Sequence, residues 1–150
     1  MSVNNKNQNE SVSNQLTVPG YYKNLARIGD FVYRAAIKAG LDERAGYALQ
    51  MAVDEACANI IEHAYGGEGK GQIDLVYQLQ EEGLQIIIYD QGRPFDPAQV
   101  TELDIKTPLN KRQLGGMGVF FMHRLVDRVE FEFGTPRGNQ LRLFKRRTHP

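Results

Sequence analysis

The chain has 150 residues, of which 18 are basic and 18 acidic, so its formal net charge is zero. A chain of this length holds one domain with a hydrophobic core of its own. The balanced charge argues against a nucleic-acid-binding surface and against a polybasic membrane anchor. No apolar run approaches the length of a membrane span, and the N-terminus lacks the apolar core of a signal peptide. We therefore expect a single cytoplasmic domain that binds neither nucleic acid nor membrane.

The first part of the chain predicts a tail, a strand and a helix. Residues 1 to 10 are mostly Asn, Ser, Lys and Gln and predict a disordered tail, so the single domain is expected to span residues 11 to 147. Residues 12 to 18 alternate apolar and polar side chains before a Pro-Gly pair, which predicts a short edge strand. Apolar side chains then recur at helical spacing from Tyr21 to Ala39, and Gly40 is a suitable stop for that helix.

A second helix is predicted from Asp42 to Tyr65, and it carries an apolar stripe beside a polar row. Glu55, Asn59 and His63 follow one another at intervals of four residues, so they are expected along one side of the helix. A carboxylate can polarise a hydroxyl, an amide oxygen suits magnesium, and an imidazole can contact a phosphate oxygen. An isolated row of this kind is more often a solvated face. The row becomes informative only together with the segments that follow it.

A period of two replaces the helical spacing after Gly67. Residues 71 to 80 and 84 to 89 predict an antiparallel hairpin, and its second strand is apolar on both faces, as is typical of a central strand. Two further strands are predicted at residues 128 to 133 and 139 to 145. The expected fold class is therefore an α/β two-layer sandwich, with helices on one face of a mixed, mostly antiparallel sheet.

Two segments with glycines offer the backbone to a ligand. Asp90 ends the apolar strand and Gly92 follows two residues later; the carboxylate can accept a hydrogen bond from an exocyclic amine, although a simple turn has the same pattern. The stretch from Asp104 to Leu114 has no usable periodicity and is interpreted as a lid. A predicted helix then opens with free N–H groups that favour an anion. This glycine-rich opening consists of Gly115, Gly116, Met117 and Gly118.

Taken in order, these motifs resemble those of the Bergerat-type ATP-binding fold, which is shared by gyrase, the ninety-kilodalton heat-shock chaperone, histidine kinases and a mismatch-repair ATPase. Within that superfamily the chain resembles the single-domain anti-sigma factor serine kinases of bacterial stress and sporulation control. The likeness covers Leu16 to Lys145. A histidine kinase carries a helical dimerisation hairpin before this domain, whereas only one predicted strand and one predicted helix precede the polar row here. Gyrase, the chaperone and the repair ATPase need further domains.

The resemblance implies a role for each motif residue. Glu55 would be the general base on the incoming hydroxyl, and Asn59 would bind the magnesium ion that bridges the ATP phosphates. His63 would be a secondary phosphate contact. Asp90 would accept a hydrogen bond from the adenine amino group, with Gly92 leaving space beside it. The phosphates would be wrapped by Gly115, Gly116, Met117 and Gly118.

The resemblance further implies ATP and magnesium as cofactors, and an ATP-dependent serine/threonine protein kinase that acts as an anti-sigma factor. The enzyme would phosphorylate an anti-anti-sigma partner and sequester a sigma factor, and the resemblance leaves a homodimer open. The alternative is a nucleotide-gated binding module without kinase activity; Glu55 beside Asn59 favours the enzyme, because a pure binder needs no base. A globular domain without nucleotide is a third interpretation. Pro94 departs from the Asp-x-Gly-x-Gly pattern of many relatives, which implies a stiffer adenine end.

Overall fold

The computed structural model of the protein describes residues 14–94 and 122–148, and the statements below concern these two ranges. Two α-helices and five strands make up most of them, and residues 122–125 are also helical. In chain order the elements are β1 Gln15–Pro19, a 3-10 turn Tyr22–Asn24, α1 Leu25–Lys38, α2 Glu43–Asn59, a π-helical turn Ile60–Ala64, β2 Gln72–Leu79, β3 Gly83–Asp90, β4 Arg128–Thr135 and β5 Gly138–Arg146.

The five strands form one sheet in the order β1-β2-β3-β5-β4. All four pairings between these strands are antiparallel, so the parallel component of a mixed sheet does not occur in the described part of the chain. The sequence-based expectations of an edge position for β1 and a central position for β3 are confirmed. The pairing of β3 with β5 places Asp90 directly opposite Asn139. The end of β3 and the start of β5, which are distant in sequence, therefore lie next to each other in the sheet.

The expected two-layer architecture is confirmed, with the hydrophobic core between the helices and one face of the sheet. The central strand β3 contributes Leu84, Ile86 and Ile88, each 0% exposed, to this core. Burial of one such side chain stabilises the folded state by about 1.5–3 kcal/mol. The opposite face of β3 is also covered, because Ile87 and Tyr89 are only 6% and 7% exposed. Burial on both faces explains why this strand reads as a nearly continuous apolar run.

Helix α2 begins where its sequence predicts, and local chemistry explains the start. Asp42 has an extended backbone, and its side chain accepts a hydrogen bond from the Ala45 N–H at 2.7 Å. Such an N-cap contributes about 1 kcal/mol. The buried residues of α2 follow the predicted stripe and end with Cys57, which is fully buried and unpaired in the described part of the chain.

Several sequence-based expectations concern residues that the structure does not describe. The tail at residues 1 to 10, the lid from Asp104 to Leu114, and the glycine-rich segment from Gly115 to Gly118 all lie outside the described residues. The single domain from residue 11 to 147 likewise stays a prediction. None of the helices in residues 14–94 and 122–148 combines the length and apolarity needed to cross a membrane.

Candidate functional site

A cavity opens between the end of α2, the π-helical turn and the strands β3, β4 and β5. The space between the lining residues, open solvent at the mouth included, is about 490 Å³. Apolar side chains supply part of the wall, and polar groups converge on it from the helix and from the sheet. The polar side chains are Asn59, His63, Asp90, Arg93, Asn139 and Gln140.

The helix that borders the cavity ends in a π-helical turn, Ile60–Ala64. The Tyr65 N–H donates to the Ile60 carbonyl at 2.9 Å, which is a bond to the fifth preceding residue. This ring is wider than an α-helical one, and such turns are frequent at functional sites. Asn59, His63 and Ala64 all border the cavity. The expectation of one regular helix up to Tyr65 is corrected here: the last turn is π-helical, and apolar spacing carries no signal for it.

His63 presents an unsatisfied nitrogen at the cavity. Its Nε2 atom is buried and has no hydrogen-bond partner among the residues that the structure describes. Leaving such a group unpaired costs about 1–3 kcal/mol, so a buried orphan atom calls for an explanation. Because His63 borders the cavity, a polar ligand there can satisfy the nitrogen. A phosphate oxygen is a suitable partner.

Asp90 is the buried charged group of the site, with 7% of its surface exposed. Its Oδ1 atom accepts from the Gly92 N–H at 2.9 Å and from the Asn139 Nδ2 atom at 3.0 Å. Burial raises the pKa of Asp90, while the hydrogen bonds from Asn139 and Gly92 oppose that rise. No donor from residues 14–94 or 122–148 reaches Oδ2. One carboxylate oxygen is therefore held in place and the other remains to accept from a ligand.

Asn139 is a site residue that the sequence analysis missed. It is buried, and its Nδ2 atom also donates to the Gly92 carbonyl at 2.9 Å. One amide thus fixes both the carboxylate of Asp90 and the loop that follows it. The only sequence signal was a polar residue after Gly138, which equally suits a hairpin turn. Asn139 lies opposite Asp90 because of the register between β3 and β5, and local sequence patterns do not predict that register.

Gly92 has a packing role that the sequence analysis did not anticipate. A Cβ atom at this position would lie 2.5 Å from the Ala64 carbonyl oxygen. The Arg93 N–H donates to that same oxygen at 2.8 Å. Glycine is thus required for the loop after Asp90 to lie against the π-helical turn. That Gly92 also leaves space beside an adenine ring stays a prediction.

Tyr65 ties the π-helical turn to the sheet. Its hydroxyl donates to the Gln72 carbonyl at 2.5 Å and accepts from the Gln91 N–H at 2.9 Å. Its ring fills the space beside Gly71, where a Cβ atom would lie 2.3 Å from the ring. Tyr65 therefore connects the helix end, the start of β2 and the loop after β3. This connection holds the two polar walls of the cavity together.

Glu55 lies one helical turn before Asn59 but does not border the cavity. It lines a separate groove between α1 and α2, together with Asp54. Partial burial, and next the negative charge of Asp54, raise the pKa of Glu55. Burial also raises the pKa of Asp54. The polar row is therefore divided: Asn59 and His63 border the cavity, and Glu55 borders the groove.

The donor set fits a magnesium nucleotide better than a protein-only metal site. The described residues contain no cluster of three or more His, Cys, Asp or Glu side chains that could hold a metal ion. Magnesium usually binds through one or two protein oxygens together with phosphates and waters. The side chain of Asn59, at the cavity wall near the orphan nitrogen of His63, fits that arrangement. Gly115, Gly116, Met117 and Gly118 lie outside the described residues.

Comparisons with known proteins agree with this geometry. Residues 18–145 match the family described as histidine kinase-like ATPase domain. The "Serine-protein kinase RsbW" of Halalkalibacterium halodurans is 36% identical over 104 residues, which are 63% of each chain. The protein of the same name from Listeria monocytogenes is 28% identical over 128 residues, which are 83% of this chain and 80% of the relative. The chain thus spans less than two thirds of the first of these relatives.

A solved structure has a similar fold. The histidine kinase domain of a blue-light activated histidine kinase from Erythrobacter litoralis EL346 superposes with a TM-score of 0.50. The superposition covers 86% of this chain and 61% of the other, at 15% sequence identity. A likeness at this identity concerns the fold alone. It agrees with the arrangement of helices on one face of an antiparallel sheet.

Proposed function

This chain belongs to the family of histidine kinase-like ATPase domains, and on that premise we propose that it is an ATP-dependent serine/threonine protein kinase that acts as an anti-sigma factor. The observation that carries the proposal is the convergence of a buried, partly satisfied Asp90 and an unsatisfied His63 nitrogen on one cavity. The former suits a nucleobase amine and the latter suits a phosphate. Similarity to proteins named serine-protein kinases supports the choice of reaction.

The base end of the cavity favours adenine. The Oδ2 atom of Asp90 accepts from the exocyclic amine of adenine, whereas guanine presents a carbonyl oxygen at the equivalent ring position and would leave two acceptors facing each other. Ile60, Met122 and Leu141 line the cavity and offer apolar surface to the ring. Burying the base against such surface excludes water, and an unmatched polar group there is costly.

The phosphate end lies toward the helix. His63 Nε2 would contact a phosphate oxygen, and the Asn59 amide oxygen would hold magnesium. When bound, magnesium neutralises phosphate charge and orients the phosphoryl group. The role of Gly115, Gly116, Met117 and Gly118 in wrapping the phosphates rests on the family resemblance.

The chemical step needs one base and correct positioning. Glu55 accepts the proton of the serine or threonine hydroxyl, and the hydroxyl oxygen forms a bond to the γ-phosphorus. The bond between that phosphorus and the bridging oxygen breaks, and ADP leaves with the electron pair. The products are ADP and a phosphorylated side chain, and the proton on Glu55 passes to water. The raised pKa of Glu55 makes it a better proton acceptor than an ordinary carboxylate.

The family resemblance supplies the partners. The proposed phosphoryl acceptor is an anti-anti-sigma protein and the proposed sequestered partner is a sigma factor, and the proposed location is the cytoplasm. The competing proposal, a binding module without kinase activity, shares the cavity but has no use for Glu55 as a base.

The test mixes the purified chain with γ-labelled ATP, magnesium and each anti-anti-sigma protein encoded in the same genome. We expect label on a serine or threonine of at least one of them, located by mass spectrometry, and no label when magnesium is chelated. Stable, nucleotide-dependent binding of such a protein without any transfer would contradict the kinase and support the binding module.

A further inference from the structure

A groove runs between α1 and α2 on the helical layer, separate from the nucleotide cavity. Its wall includes Tyr47 and Met51, which are 63% and 44% exposed although both are large and apolar in character. Asp54 and Glu55 continue the wall toward the end of α2. The described lining contains two carboxylates and no cationic side chain. The groove is therefore apolar at one end and negatively charged at the other.

The placement of Glu55 connects this groove to the chemistry. Glu55 lines the groove, whereas Asn59, four residues later, lines the cavity. Four helical residues span about 6 Å. A general base must lie within about 2.6–3.2 Å of the hydroxyl that it deprotonates. A hydroxyl bound to Glu55 is thus on the groove side of α2 and about one helical turn from the metal-binding amide.

We propose that the groove between α1 and α2 is the docking site for the acceptor segment of the protein substrate. The segment carries its serine or threonine at the Glu55 end, and an apolar side chain that covers Tyr47 and Met51. Its flanking residues are neutral or basic, because the groove carries the negative charge of Asp54 and Glu55. This inference rests on the proposed kinase activity and adds where the substrate binds and what its surface is like.

The backbone of the groove is suited to a fixed docking site. Gly29 of α1 faces Gln50 of α2, and a Cβ atom on Gly29 would lie 2.8 Å from the Gln50 side-chain nitrogen. The two helices are therefore in close contact beneath the groove, so its shape does not depend on a loop. Exposed aromatic and methionine side chains on such a surface are the residue types enriched at protein interfaces. Because Glu55, the proposed base, lines the same groove, the protein that carries the acceptor hydroxyl is the partner that binds there.

The test compares two tyrosines on neighbouring helices. Tyr47→Ala removes the exposed aromatic of the groove, and Tyr33→Ala removes a tyrosine of α1 that is 49% exposed and does not line the groove. Steady-state phosphorylation of the acceptor protein that the labelling experiment identifies is measured for both variants and the parent. We expect Tyr47→Ala to raise the acceptor KM about tenfold or more, as for loss of an aromatic anchor. The KM for ATP should stay at the parent value, and Tyr33→Ala should match the parent throughout.

A second variant and a mass measurement complete the test. Met51→Glu places a charge where the apolar side chain of the acceptor is proposed to pack, so it should also raise the acceptor KM while leaving the KM for ATP unchanged. Parent-like acceptor KM values for both groove variants would overturn the docking site and leave the kinase intact. If either groove variant changes the oligomeric mass of the protein measured without acceptor, the groove is an interface with a second copy of the chain, and this outcome would also overturn the docking site. Absence of transfer by the parent to every acceptor would overturn the kinase and this inference together.

Discussion

At the scale of single residues, the site depends on which atoms are satisfied and which are left for a ligand. Asp90 was predicted from its place at the end of an apolar strand, and the structure adds the reason for its orientation, the Asn139 amide at 3.0 Å. His63 was predicted as a minor contact, and its buried Nε2 atom has no partner in the described part of the chain. Glu55 was expected on the same ligand as Asn59 but faces another surface. The spacing of residues predicts which of them share one side of a helix. The packing of neighbouring elements determines which cavity or groove each of those residues borders.

Replacement of Asn139 tests how the Asp90 carboxylate is held. Asn139→Leu removes one of the two hydrogen bonds to Oδ1, and that bond lowers the pKa of Asp90. ATP affinity at neutral pH should fall by about ten- to a hundredfold, since hydrogen bonds to charged groups are worth about 1.5–3 kcal/mol. The pKa of Asp90 should rise, so ATP affinity should be lost at a higher pH on acidification than in the parent. Calorimetric titrations over a pH series measure both effects, and coincident parent and variant curves would remove Asn139 from the site.

Replacement of Asp54 tests Glu55 as the base. A base works when ionised, so the rate of transfer falls as the pH drops through the pKa of Glu55. Burial, and next the charge of Asp54, raise that pKa. Asp54→Asn should therefore lower the pKa of Glu55 and move the acid limb of kcat to lower pH. Glu43→Gln, in the first turn of α2, serves as the control and should leave the limb in place. An acid limb that does not move in Asp54→Asn would show that another group titrates there.

At the scale of elements, the sequence predicted the helices, the strands and the central position of β3 because each depends on local periodicity or on apolar content. It did not predict the π-helical turn Ile60–Ala64, since its extra residue changes hydrogen bonding without changing composition. It also did not predict that Asp90 faces Asn139, because the pairing of β3 with β5 joins segments 49 residues apart. The site is built at these two features. Motif spacing could identify its members, but not the contacts between them.

Replacement of Gly92 tests the contact between the loop and the π-helical turn. In Gly92→Ala the added methyl group meets the Ala64 backbone, which cannot move aside like a side chain. We expect a loss of about 1–3 kcal/mol in unfolding free energy, the usual scale of overpacking, and weaker ATP binding because Asp90 is displaced. Urea unfolding and ATP titration measure the two effects. Gly29→Ala is the control, because its methyl group meets only the flexible Gln50 side chain and helix propensity favours alanine. Equal stability of Gly92→Ala and the parent would refute the close contact.

At the scale of the whole molecule, helix α2 borders both proposed binding surfaces. The sheet side of α2 and the π-helical turn border the proposed nucleotide cavity, and the groove side borders the proposed protein substrate site. The helix itself is held by its core stripe and by the Asp42 cap, so the two surfaces keep a fixed distance. Phosphoryl transfer depends mainly on such positioning. In the proposed mechanism α2 positions the acceptor hydroxyl at Glu55 and the phosphates at Asn59, one helical turn apart, and Glu55 contributes the base.

The role of Glu55 as the base is tested most directly by measuring phosphoryl transfer by Glu55→Gln together with its ATP affinity on the same sample. The substitution keeps the shape of the side chain but cannot take a proton, so transfer should fall by about two to four powers of ten. ATP affinity should remain at the parent value, because Glu55 lies outside the nucleotide cavity. Glu62→Gln, an exposed glutamate of the same helical segment, should behave as the parent in both respects. Parent-like transfer by Glu55→Gln, or a loss of transfer explained by lost ATP binding, would contradict the account.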